Sequence, residues 1–62
     1  MNVKERVYGI VDEKGLKLTK VAEKAKVSRD TIARWDKVSP TLDKLQSVAD
    51  ALEVDIVTLI KD

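Results

Sequence analysis

The sequence predicts an all-α domain of five short helices, on three observations. Glycine occurs twice and proline once, too few for the turns of a sheet protein, while 37% of the residues are charged and only 3% aromatic. Apolar residues recur at spacings of three and four along most of the chain, the helical period. Residues 16–36 read as two short helices joined by a tight turn: Val21, Ala22 and Ala25 keep the period, Lys26-Val27-Ser28 breaks it, and Ile32 and Trp35 restart it.

The first helix has Asn2 as its N-cap and Glu5 at the third helical position, the spacing of a reciprocal cap. Val3, Val7, Ile10 and Val11 form its apolar stripe, which runs to about Glu13. Gly9 inside it costs roughly 1 kcal/mol relative to alanine, and is read as a place where another backbone comes close. Lys14-Gly15 closes the helix with a basic last turn and a residue suited to the left-handed conformation, after which Leu16 turns back into the core. The second helix lacks a strong cap, because Lys17 stands where serine or aspartate would serve better and Thr19 is the nearest alternative. Lys20, Glu23 and Lys24 lie outward, and Glu23 can pair with Lys20. Lys26 occupies a turn position that needs positive φ, so backbone strain is expected there.

Ser28 is a good N-cap for the third helix, and Asp30 in its first turn suits the helix dipole. The arrangement is a helix-turn-helix pattern. Ala22 is small where the two helices cross, Val27 fills the corner, and Ile32 and Trp35 pin the second helix to the core. The opposite face, with Arg29, Asp30, Ala33 and Arg34, is left for a partner, which in the DNA-binding version of the motif is the major groove. Residues 28 to 36 are the stretch that would lie there.

Ser39-Pro40-Thr41 starts the fourth helix, capped by either Ser39 or Thr41. Leu42, Leu45, Val48, Ala49 and Leu52 give it an apolar stripe, and Asp43 falls in its favourable first turn. Residues 54–60 are readable at either period. The reading preferred is a fifth helix capped by Asp55, with Ile56, Leu59 and Ile60 on one face; the alternative is a strand that pairs across a dimer. Val57 is then left partly exposed, a reasonable place for a subunit contact.

Sixty-two residues make one domain, residues 1–62, near the lower limit for a chain that folds alone. The absence of cysteine and histidine excludes disulfides, thiol catalysis, the usual zinc sites and imidazole acid-base chemistry. No metal or other cofactor and no small-molecule substrate is expected. Acid pairs such as Asp12-Glu13 sit on a solvated face and no glycine-rich phosphate loop occurs, so the chain is not read as an enzyme. No run is long and apolar enough for a signal peptide or a membrane span, which makes a soluble cytoplasmic protein the expectation. The net charge of +1 conceals an asymmetry. From Lys14 to Lys37, eight basic residues stand against three acids, a net of +5, while the chain from Val38 onward carries −3 and the stretch to Glu13 carries −1. The basic portion coincides with the helix pair.

Gly15-Leu16, Val21-Ala22-Glu23-Lys24, Val27-Ser28-Arg29, Thr31-Ile32, Arg34-Trp35-Asp36, Pro40-Thr41-Leu42 and the stretch from Leu45 to Val54 together resemble the Cro and phage-repressor (XRE) type of helix-turn-helix protein. The resemblance covers nearly the whole chain. It implies a five-helix, lambda-repressor-like domain that binds double-stranded DNA as a homodimer, one that can be weak without DNA, on a short palindromic operator. By position it implies base contacts from Arg29, Asp30, Thr31 and Arg34, and phosphate contacts near Lys17, Leu18, Ser28 and Lys37. Arginine can read a guanine bidentately, threonine a thymine methyl, and aspartate a cytosine amine.

The chain departs from the family pattern in four ways. Leu18 replaces a phosphate-anchoring glutamine, and Lys26 replaces the turn glycine. Val11 and Asp36 stand where the family has a buried ion pair, which leaves Asp36 to solvent. The link Lys37-Val38-Ser39 is about two residues short. The function first expected is a sequence-specific transcriptional repressor of the Cro type that acts by occlusion, a chain of this size having no place for a separate sensor. The second is an antirepressor or antitoxin-like module on the same scaffold that binds a partner repressor; Asp30, Leu18 and the thinned basic link are its motivation.

Overall fold

Most helix starts coincide with a side chain that can accept from an orphan amide. Asn2 Oδ1 accepts from the Glu5 N–H at 2.9 Å, Ser28 Oγ from Thr31 at 3.1 Å, Thr41 Oγ1 from Lys44 at 3.4 Å, and the Asp55 carboxylate from Val57 at 3.2 Å. In the computed structural model, which describes residues 2–60, these sites open α1 (Val3–Glu13), α3 (Arg29–Ala33), α4 (Leu42–Leu52) and α5 (Ile56–Ile60). The remaining helix, α2 (Leu18–Ala25), begins at Lys17 with no side-chain cap, as its sequence predicts. Thr41, not Ser39, caps α4.

Three helices end by one device. Gly15, Lys26 and Glu53 have φ of 68°, 60° and 58°, and each turn is closed by a pair of amides donating back into the helix. For α2 these are Lys26 N–H to Glu23 O at 3.1 Å and Val27 N–H to Ala22 O at 3.0 Å; for α4 they are Glu53 N–H to Asp50 O at 3.1 Å and Val54 N–H to Ala49 O at 3.0 Å. Lys26 and Glu53 each carry about 1 kcal/mol of left-handed strain that glycine would not. The expectation for Lys26 holds, whereas Glu53 was not anticipated.

The core lies mainly between α2 and α4, where Val21, Ala22 and Ala25 face Leu45, Val48, Ala49 and Leu52. Helix α1 closes one side with Val7 and Val11, and α5 contributes Leu59. Every buried side chain among the described residues is apolar, so the interior offers no polar group for chemistry. Burying each large aliphatic side chain contributes about 1.5–3 kcal/mol, and in a domain this small few can be spared. None of the described helices is long and apolar enough to cross a membrane.

Residues 56–60 are helical, as the preferred reading expects, with no strand among the described residues, and Asp55 supplies the cap. Three other expectations are corrected. Gly9 is not a close approach, since a Cβ there would meet nothing within 4 Å. Leu16 is 41% exposed: its N–H closes α1 by donating to Val11 O at 2.8 Å, but its side chain does not return to the core. Leu42 belongs to the α4 stripe by spacing yet is 72% exposed, because it stands at the first turn, ahead of the stretch that packs on α2.

Candidate nucleic-acid interface

The stretch expected as one helix from 28 to 36 is a five-residue α3 followed by a 3₁₀ turn, Arg34–Asp36. So short a helix has no stability of its own. It is held from below by Ile32, fully buried, and Trp35, 5% exposed. The tightening into 3₁₀ geometry moves the last residues off the ideal helical spacing, but Trp35 still points inward and Arg34 outward. Val38 N–H and Lys37 N–H both donate to Arg34 O, at 2.8 and 2.9 Å, which terminates the segment.

With the inner face fixed, the outer face follows. Arg29, Asp30 and Arg34 are exposed, as is Lys37 just beyond, and Ala33 between them is half-buried. Ser28 is exposed at the start of α3 and Thr31 is half-buried; their hydroxyls are hydrogen-bonded to each other at 2.7 Å. Asp30, Ala33, Arg34 and Lys37 line one open cleft. Thr31 and Arg34 also border a second depression that reaches Lys44 on α4. Lys17 is exposed but comes from a different element, the start of α2. Leu18 packs half-buried against the core, so its side chain offers neither charge nor hydrogen bond at the position where the family pattern has a glutamine.

Only two ion pairs form among the described residues, Lys20–Glu23 at 3.9 Å and Lys4–Asp36 at 3.7 Å. Lys17, Arg29, Arg34 and Lys37 are in neither, so their charge is available to an anionic partner. Asp36 is exposed, as the missing family ion pair implies, but it is not without a partner, since the Lys4 ammonium stands 3.7 Å from its carboxylate. Helix α1 packs against the 3₁₀ turn, and that contact brings its first-turn lysine to the carboxylate. Sequence reasoning missed Lys4 and Lys44 as neighbours of Arg34. No spacing rule could have found Lys4, since its proximity arises only from tertiary packing.

The arrangement can place two guanidiniums and an ammonium, with the carboxylates of Asp30 and Asp36 among them, along the edge of a polyanion. A family model described as Helix-turn-helix matches residues 10–59. Comparison with curated proteins gives no significant match.

Proposed function

The chain belongs to the XRE-type helix-turn-helix family of DNA-binding transcription regulators, and on that premise we propose that it is a small sequence-specific repressor of the phage Cro type. The observation that carries this reading is the anchored, outward cationic edge: Arg29, Arg34 and Lys37 exposed above the buried Ile32 and Trp35. Two copies bind a palindromic operator as a homodimer in the cytoplasm. Each lays residues 28 to 36 in the major groove, at half-sites about one helical turn apart. Repression follows from occlusion of the promoter.

Within each half-site, Arg29 and Arg34 read guanine edges and Thr31 a thymine methyl or a base edge, while Asp30 accepts from a cytosine amine or rejects sites that lack one. Lys17, Ser28 and Lys37 seat the segment on phosphates, setting register without reading sequence. Val57 and Ile60, 49% and 53% exposed on α5, supply apolar surface for the subunit contact.

Selection of bound duplexes from a random pool tests this reading. A recovered palindrome is expected, bound with an affinity that falls steeply with salt, at a slope of about −0.9 per phosphate neutralised. Failure to retain any DNA at low salt, together with tight binding to a partner repressor, would replace it with the antirepressor or antitoxin-like reading.

A further inference from the structure

Lys4 lies in the first turn of α1, outside the residues 10–59 that the family model covers, yet its ammonium reaches the end of the recognition segment. It stands 3.7 Å from the Asp36 carboxylate, and the two side chains are 29% and 32% exposed. Lys20–Glu23, by comparison, is 3.9 Å long with its side chains 78% and 67% exposed. Partial burial weakens screening, so the Lys4–Asp36 pair keeps more of its Coulomb attraction than the open pair does. The ammonium also lies 5.6 Å from the centre of the Tyr8 ring, one turn along α1. That contact confines the lysine stem and lowers the entropy lost when the pair forms.

The position of Asp36 gives the pair its consequence. The open cleft of about 460 Å³ beside α3 is lined by Lys4, Asp30, Ala33, Arg34, Asp36 and Lys37. A bare carboxylate at Asp36 would repel phosphate from the place where Arg34 and Lys37 are set to attract it. Resting on the DNA-binding reading above, we propose that Lys4 is a positioning residue for DNA recognition that acts through Asp36: it neutralises and holds that carboxylate against α1, and does not itself contact a phosphate.

The test uses the full chain and a duplex recovered by selection, with affinity measured by fluorescence anisotropy over a range of salt concentrations. Lys4→Met keeps the apolar stem and removes the charge; it should weaken binding roughly five- to tenfold at low salt. Lys4→Arg should stay within about twofold of the parent, because it restores a partner for the carboxylate. Asp36→Asn should bind at least as tightly as the parent, and in that background Lys4→Met should change affinity by less than about twofold. A merely structural role for Lys4 would not produce that rescue. Equal losses in both backgrounds, with the salt slope reduced by about one, would make Lys4 a direct phosphate contact and overturn the proposal. An unaffected Lys4→Met variant would overturn it as well. If the parent chain itself retains no DNA, the functional reading fails first and the inference goes with it; if the parent binds and the rescue is missing, the inference alone fails.

Discussion

The α2–α4 layer and the recognition segment are held by very different means. Helices α2 and α4 bury a broad apolar surface against each other, from Val21, Ala22 and Ala25 to Leu45, Val48, Ala49 and Leu52. The recognition segment is a five-residue helix and a 3₁₀ turn with two buried anchors, Ile32 and Trp35. A segment with so little packing of its own can give almost its whole outer surface to a ligand. On the proposed reading, stability and recognition are thereby divided between regions, and substitutions should separate them.

The largest effect is expected where the two roles meet. Ile32→Ala should cost about 2–5 kcal/mol of stability, measured by urea unfolding with Trp35 fluorescence as the probe, and should remove DNA binding with it. A variant that unfolds at the parent's midpoint would mean the segment is anchored elsewhere. Next is a change that touches recognition alone. Arg29→Ala should weaken specific binding by roughly 1–3 kcal/mol and relax preference at one base pair, with the unfolding midpoint unmoved. If it weakened all sequences alike, Arg29 would be a phosphate contact.

Ser28→Ala should cost about 1 kcal/mol of stability, since it removes the acceptor for the Thr31 N–H; thermal melts would show it. The smallest effect is a gain outside both regions. Gly9→Ala in α1 should stabilise the fold by roughly 0.5–1 kcal/mol, because a Cβ there meets nothing within 4 Å. Its DNA affinity should match the parent's. A loss of stability would show that something does approach Gly9 after all.

What was legible in the sequence is what depends on neighbours along the chain. Asn2 and Ser28 as caps, Gly15 and Lys26 as left-handed ends, and Ile32 and Trp35 as inward anchors all follow from local chemistry and the helical period. Leu16 and Leu42 show where that reasoning stops. Periodicity places Leu42 on a face, but only the position of the other helices decides whether the face is covered at its first turn. The Lys4–Asp36 pair was invisible for the same reason, being made by the packing of α1 on the 3₁₀ turn. At the candidate site, residue types and their outward placement on α3 could be read in advance. The break into 3₁₀ geometry at Arg34 could not, because nothing in the side-chain pattern distinguishes it from one further helical turn.

The most direct measurement is a map of backbone amide shifts as a selected duplex is titrated into the protein. The result expected is that the largest changes fall at Lys17 and residues 28 to 37, with the acidic stretch from Asp50 to Asp55 nearly silent. Changes centred on α4 and α5, with Arg29 and Arg34 unmoved, would contradict the placement of the DNA-binding surface on the recognition segment.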